Sequence, residues 1–318
     1  MSFSGEVKEE LSRHVPSARH CQIAEIAALF HMCGKILPGR TGTFELKLQT
    51  DNLTVARKYF ILIRKTFHAR EEVLVRAGGE GFRNRVYSVV IRDQDEVVEI
   101  LQAIKVLGPD NRVDGVSLVN RLVVQNMCCR RAFIRGAFLS AGSVSNPEKS
   151  YHFEIVLPTQ IQAEQLKELI CSFQIDAKIV MRKKNYVVYV KEGSQIVDLL
   201  NVMEAHVALM NLENVRIEKE IRNFVNRQVN CEAANIHKTV QAAAKQLEDI
   251  KYIRDTVGLS ELSQGLEDIA RLRLEQPDAS LKELGTMLCP PLGRSGVNHR
   301  LRKLGEIAER LREQKEDL

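Results

Sequence analysis

Two periods of apolar residues run through the chain and recur in the same order. Phe44, Leu46 and Leu48 alternate with Glu45, Lys47 and Gln49, the two-residue period of a half-buried strand. The stretch Phe153-Glu154-Ile155-Val156-Leu157-Pro158-Thr159 matches Phe44 to Thr50 at five of seven positions, counting Ile for Leu. Before the first strand the pattern predicts a helix from Gln22 to Gly34 and a turn at Pro38, Gly39 and Gly42. After it come a helix Leu53–Phe67 capped by Asp51 and strands Val73–Arg76 and Val86–Arg92 around Gly78, Gly79 and Gly81. A helix from Asp95 to Val106 closes the unit. The second unit reruns this order: helix Cys129–Gly142, the Phe153 strand, helix Ile161–Phe173, strands Ala177–Arg182 and Tyr186–Val190, helix Gln195–Met203.

The repeat is sharpest in one nine-residue stretch. Ile26-Ala27-Ala28-Leu29-Phe30-His31-Met32-Cys33-Gly34 is echoed by Ile134-Arg135-Gly136-Ala137-Phe138-Leu139-Ser140-Ala141-Gly142, with the closing glycines 108 positions apart. Small residues at helical spacing let two helices approach closely. The pair therefore reads as the central seam of a pseudo-two-fold, duplicated α+β unit.

From about Ile217 the three-to-four-residue period takes over. A long helix, Phe224–Lys251, is expected, then three short ones. Leu266–Gln276 ends before Pro277. Ser280-Leu281-Lys282-Glu283 is a capping box, in which hydroxyl and carboxylate satisfy each other's free backbone donors. Cys289-Pro290-Pro291-Leu292-Gly293 makes a turn into a final helix from Gly296 to Arg312, capped by Ser295. The expected organisation is an N-terminal helix (1–20), repeat one (21–109), repeat two (110–206), a linker (207–228) and an all-α helix–turn–helix domain (229–318).

Composition narrows the class. The 318 residues suffice for two or three cored domains, and a net charge of +5 hints at polyanion binding without deciding it. Seven cysteines, with Cys128-Cys129 adjacent and no C-x-x-C, argue against a disulfide scaffold and a zinc ribbon and suit a reducing cytosol. Met1 to Glu6 has no basic segment leading into an apolar run, so no signal peptide is expected. No apolar stretch approaches the ~20 residues of a membrane span. A cytoplasmic, nucleoid-associated monomer is expected, because internal pseudo-symmetry removes the usual need for a dimer.

The repeated helix and the order around it resemble the LAGLIDADG homing endonucleases. In those enzymes the residue before each final glycine is acidic, and the two carboxylates hold the divalent metal that activates water. Here those positions are Cys33 and Ala141, and two positions further in stand His31 and Leu139. Mg²⁺ takes oxygen ligands, alanine offers none, and a thiol is too soft. Cys33, His31 and the Cys128-Cys129 pair read as packing residues. No catalytic residue, metal ligand or cofactor is expected.

The last helix carries the sharper chemistry. Val297, Leu301, Leu304 and Ala308 share one face, whereas Asn298, His299, Arg302 and Lys303 fall on the other. An outer face of Asn, Arg and Lys suits the major groove, where Arg reads guanine and Asn reads adenine. Leu281, Leu284 and Leu288 turn the preceding helix inward and leave Lys282 outside. The expected contacts to double-stranded DNA are Lys282, Arg294, Ser295, Asn298, His299, Arg300, Arg302 and Lys303. A second set, on a saddle of sheet, is Arg76, Arg83, Arg85, Arg92, Arg182, Lys183 and Lys184.

Taken together, these features resemble the bacterial WhiA family, a degenerate LAGLIDADG-like domain joined to a helix–turn–helix. The most specific segments are Cys128 to Leu139 and Ser295 to Leu304. The last domain also resembles the promoter-reading region 4 of sigma factors. The resemblance implies a non-catalytic DNA-binding regulator tied to cell division, chromosome segregation and, in spore-formers, sporulation; a transcription-machinery or regulator protein is the expected partner besides DNA. The alternatives are a working metal-dependent endonuclease with unrecognised acids, and a protein-interaction scaffold that reuses the old DNA surface.

Overall fold

The computed structural model describes residues 2–38, 43–69, 71–76, 85–108 and 118–316. The chain divides into two compact units, Met1–Glu220 and Ile221–Leu318.

The first unit begins with α1 (Phe3–Arg13). Repeat one follows as α2 (Arg19–Cys33), β1 (Gly34–Pro38), β2 (Phe44–Thr50), α3 (Leu53–Phe67), β3 (Glu71–Arg76), β4 (Val86–Ile91) and α4 (Gln94–Ala103). Repeat two is α5 (Met127–Ala141), β5 (Gly142–Val144), β6 (Phe153–Leu157), α6 (Gln160–Cys171), β7 (Lys178–Arg182), β8 (Asn185–Val190) and α7 (Gly193–Met203). The antiparallel sheets share one topology, β1-β2-β4-β3 and β5-β6-β8-β7. Strands β1 and β5 begin at the closing glycines, where the sequence pattern predicted no strand. The glycine loop at 78, 79 and 81 lies outside the described residues.

Helices α2 and α5 form the seam, and the unbroken run from Ala24 to Phe30 is buried along with Ala132 to Leu139. A helix buried on nearly every side cannot show a strong amphipathic period. Close approach is concentrated at Gly136, where a Cβ would lie 2.7 Å from the Glu25 carbonyl and 2.9 Å from the Ala28 Cβ. Ala28 and Gly136 are related by the same 108-residue offset as the closing glycines. Gly34 and Gly142 adopt the same extended backbone, φ −86° and ψ 156°. Their need for glycine is spatial: a Cβ would fall 2.1 Å and 2.3 Å from the Cδ2 atoms of Phe30 and Phe138.

A charged cluster sits inside this apolar seam. Glu25 pairs with Lys58 Nζ at 3.0 Å and faces Arg135 Nε at 3.3 Å, with Glu25 and Lys58 wholly buried and Arg135 2% exposed. Arg135 Nη1 reaches Glu204 Oε2 at 2.5 Å and the Met203 carbonyl at 3.2 Å. His14 Nε2 closes on the same Glu204 oxygen at 3.2 Å. Lys58 also donates to the Leu11 and His14 carbonyls at the C-terminal end of α1. The ion pairs offset the burial of these charges, while both Glu25 oxygens and Arg135 Nε lie too far off-axis to complete hydrogen bonds.

Several local expectations are corrected. The first 20 residues are not a separate piece, since Val7 and Leu11 of α1 are fully buried in the core of the first unit. Helix α3 is capped by Asn52, whose side chain accepts from the Thr54 N–H, and not by Asp51. Leu46 and Leu48 are buried as the alternation predicted, but Phe44 at the strand's end is exposed.

The stretch read as a linker is helical. Helix α8 runs from His206 to Thr256 without a break, because no Gly or Pro interrupts those residues. The boundary between units, at Glu220 and Ile221, falls within it. Ala208 and Leu212 are buried in the first core, and Ile250 and Ile253 in the second.

In the second unit, α8 is followed by a short 3₁₀ turn (Leu259–Glu261), α9 (Gln264–Glu275), α10 (Leu281–Met287) and α11 (Arg294–Glu316). Its core joins Ile250, Ile253, Leu266, Ile269, Leu284, Leu288, Val297, Leu301, Leu304 and Ala308. Arg273 ties it internally, donating to Gln246 Oε1 at 3.0 and 3.2 Å and to the Ala279 carbonyl at 2.5 Å.

Candidate nucleic-acid interface

The turn between α10 and α11 is built by backbone contact. The Leu292 N–H donates to the Gly285 carbonyl at 2.9 Å, and a Cβ at Gly285 would lie 2.1 Å from the Leu292 oxygen. Only glycine lets the turn fold back so closely on α10. The capping box is formed as predicted: Ser280 Oγ accepts from the Glu283 N–H at 3.3 Å, and Glu283 Oε2 accepts from the Ser280 N–H at 2.7 Å.

Helix α11 starts one residue before the expected cap. The Val297 N–H donates to the Gly293 carbonyl at 3.1 Å, so Gly293 precedes the helix and Ser295 lies in its first turn. Its inward face is the predicted one, Val297, Leu301, Leu304 and Ala308, all buried. Outward stand Arg294, Ser295, Asn298, His299, Arg302 and Lys303, with Lys282 exposed on α10. Leu281, Arg294, Ser295 and Asn298 line one surface hollow. A helix start offers free N–H groups and the positive dipole end to phosphate.

Arg300 is the exception among the expected contacts. It is half-buried, and its Nη1 donates to the Gly265 carbonyl at 3.0 Å, which fastens α11 to the start of α9. The sequence pattern grouped it with the cations because it lies between the two faces. Arg302 is exposed and faces Glu306 one turn on at 3.4 Å.

The second set of expected contacts is divided. Arg92 pairs with Glu45, at 3.2 Å, and with Glu72. Arg182 pairs with Glu154 at 2.7 Å, and His152 Nε2 shares that carboxylate at 2.9 Å. Glu45 and Glu154 occupy matching places in the two repeats, so duplication has kept a carboxylate that neutralises an arginine on each sheet. Arg85, Lys183 and Lys184 are exposed. Arg83 and the side chain of Arg76 lie outside the described residues.

Cys33 and Ala141 are the last residues of α2 and α5, at the end of the seam where the resemblance implies acids. The Cys33 thiol is pushed up by burial, against the pull of Ser140 and Lys8. Lys8 of α1 lies 5.8 Å from the Phe138 ring centroid and feels the charges of Cys33 and Asp51. Burial holds its ammonium below the usual lysine range. Lys8 therefore stands beside the place where the resemblance implies paired carboxylates, a feature the sequence pattern did not reveal.

The opposite end of the seam holds a cluster that the sequence reading, with no metal ligand expected, passed over. His20 Nδ1 lies 3.1 Å from Cys129 Sγ, 3.3 Å from Cys21 Sγ and 4.0 Å from Cys128 Sγ. The four ligand atoms are all within 4.8 Å of one another. Cys21 and Cys129 are buried, while His20 and Cys128 are exposed. Burial, then the neighbouring Cys128 and Cys129 thiols, pushes the Cys21 thiol up to about 12. The signal was present in the sequence: the seam offset carries His20-Cys21 onto Cys128-Cys129. It was missed because the first seam helix, expected from Gln22, starts at Arg19.

A duplicated α+β unit with paired central helices ending at matched glycines, followed by a helix–turn–helix with a basic outer face, defines the class: a helix–turn–helix protein on a LAGLIDADG-like scaffold. Within that class the chain belongs to the WhiA family. Residues 19–107 match the WhiA N-terminal LAGLIDADG-like domain, residues 130–222 the WhiA LAGLIDADG-like domain, and residues 225–308 the WhiA C-terminal HTH domain. A relative named probable cell division protein WhiA, from Lachnoclostridium phytofermentans, is 57% identical over 313 residues, covering 98% of this chain and 100% of its own. One of the same name from Alkaliphilus oremlandii is 51% identical, covering 99% of each chain. The fold is similar to that of full-length DUF199/WhiA from Thermatoga maritima, with a TM-score of 0.60 and 24% identity over 98% of this chain and 99% of that one. Among the described residues no helix is long and apolar enough to cross a membrane.

Proposed function

We propose that the chain is a DNA-binding regulator of cell division that reads duplex DNA through α11 and does not cut it. The carrying observation is the exposed row Arg294, Asn298 and Arg302, with Ser295, His299 and Lys303 beside it, on a helix whose other face is locked in the core. Asn298 and Arg302 meet base edges, Arg294 and Lys303 meet phosphates, and Lys282 grips the backbone from α10. Transcriptional control linked to cell division and chromosome segregation, at the nucleoid in the cytoplasm, fits this reader and the relatives' name. The loss of cutting is supported by Cys33 and Ala141 at the helix ends and by Lys8 next to them. The carboxylate of Asp51, which acts on both Lys8 and Cys33, does not by itself make the oxygen-rich pair that Mg²⁺ chemistry uses.

The test is footprinting of the full chain on genomic fragments, followed by binding titrations at several salt concentrations. Lys303→Ala is expected to weaken binding on all sequences and to reduce the salt slope by about 0.9 for the lost phosphate contact. Asn298→Ala should instead flatten discrimination at one base pair, by about 1–3 kcal/mol. Unchanged footprints and slopes in both variants would refute the assignment to α11. Nicking of supercoiled plasmid by pure protein with Mg²⁺ would revive the endonuclease reading. With Arg92 and Arg182 neutralised by carboxylates, the sheet faces favour a protein partner over a phosphate backbone.

A further inference from the structure

The cluster at the start of the seam has the composition and dimensions of a metal site. A tetrahedral zinc centre with Zn–S near 2.3 Å and Zn–N near 2.0–2.1 Å holds its donors about 3.5–3.8 Å apart along the edges. The observed separations from His20 Nδ1, 3.1, 3.3 and 4.0 Å, and the 4.8 Å limit on all pairs, bracket that spacing. A single ion fits between such donors, while an iron–sulfur cluster would have to push them apart.

The placement is as specific as the spacing. His20 and Cys21 open α2, and Cys128 and Cys129 open α5, so each repeat supplies two consecutive residues from one helix start. The offset that relates the closing glycines also relates these pairs. The site therefore straddles the pseudo-two-fold axis at the end of the seam away from Cys33 and Ala141, a helix length of roughly 20 Å. Helix N-termini favour the negative charge of thiolates.

We propose that His20, Cys21, Cys128 and Cys129 bind one Zn²⁺ as a structural clip that joins the two repeats. Three thiols and one imidazole complete the tetrahedron with protein donors and leave no open position for water or substrate, which distinguishes a structural from a catalytic centre. Each thiol gives its proton to solvent as the ion binds. The clip closes a loop of more than a hundred residues, where a cross-link restricts the unfolded chain most. A disulfide competes for the same sulfurs, but adjacent Cys128 and Cys129 are poorly placed to bridge each other.

The test uses full-length chain without an affinity tag, purified under reductant and dialysed against zinc. Elemental analysis is expected to find one zinc per chain in the wild type and in Cys171→Ser, which alters an exposed cysteine elsewhere. Cys128→Ser, also at an exposed position, should keep the helical circular dichroism signal and hold no zinc. Replacement by Co²⁺ should give intense tetrahedral ligand-field bands with sulfur-to-cobalt charge transfer. Hydrogen exchange at the first turns of α2 and α5 should slow when zinc is restored. A wild type that takes up no zinc, or a Cys128→Ser chain that retains it with a thiolate cobalt spectrum, overturns the proposal. So does an intact mass that shows a cystine among these thiols in reductant-purified protein.

Discussion

Replacing Arg135 by Met strands Glu25 in the seam. The guanidinium is 2% exposed and lies 3.3 Å from a carboxylate with no exposure at all. Methionine keeps much of the apolar stem but leaves Glu25 with Lys58 alone, and Glu204 with His14 alone. Removing one member of a buried ion pair costs about 3–5 kcal/mol, because the remaining charge stays desolvated. For a unit of this size each kcal/mol lowers the midpoint by about 2–4 °C, so the transition of residues 1–220 should fall by roughly 6–20 °C. Scanning calorimetry of the full chain reads this directly, and hydrogen exchange in α2 and α5 locates it. Tryptophan fluorescence cannot serve, since the chain has no tryptophan. Adding Glu25→Met leaves Lys58 with backbone carbonyls alone, so the double variant should still be destabilised but by less than the sum of the two single losses, a coupling of about 2 kcal/mol, within the range for residues in contact. A single variant that melts within 2 °C of wild type, or a double variant whose loss is the plain sum, would refute the stranded-charge argument.

Gly285→Ala gains helix propensity worth about 1 kcal/mol but drives a Cβ to 2.1 Å from a backbone oxygen, an overpacking cost of about 1–3 kcal/mol. The second unit is therefore expected to lose stability and DNA affinity together in urea and binding titrations, and a stabilised variant would contradict the turn geometry. Acid should loosen the first unit in two stages. Burial, then Arg135, holds His14 below its usual 6.5, so the unfolded chain binds the proton first; stability is full above pH 6.5 and falls as pH drops towards the folded value. Burial raises the Glu204 carboxyl, but Arg135 and His14 outweigh it and leave it below its ordinary 4.5, so a second loss begins as pH falls below that value. Urea titrations from pH 8 to 4 should show both, and a first unit most stable at pH 5 would contradict the His14 assignment.

What the sequence determined by itself is whatever repeats or alternates locally. The order of both units, the seam glycines, the capping box at Ser280 and Glu283, and the two faces of α11 are patterns of spacing, and spacing survives without coordinates. That acids would stand where Cys33 and Ala141 do is implied by the resemblance to the LAGLIDADG enzymes and not by spacing. Only the tertiary structure decided which charges meet. Arg300 turned from a reader into a brace for Gly265, and Arg92 and Arg182 found carboxylates on neighbouring strands. Lys8 arrived beside Cys33 from another helix, and Lys58 from a third element reached Glu25. His20 and Cys21 met Cys128 and Cys129 only once the repeats folded together. The physical reason is one of range. Helix and strand periods are set by neighbours along the chain, whereas ion pairs and metal ligands depend on side chains that only packing brings within a few ångströms.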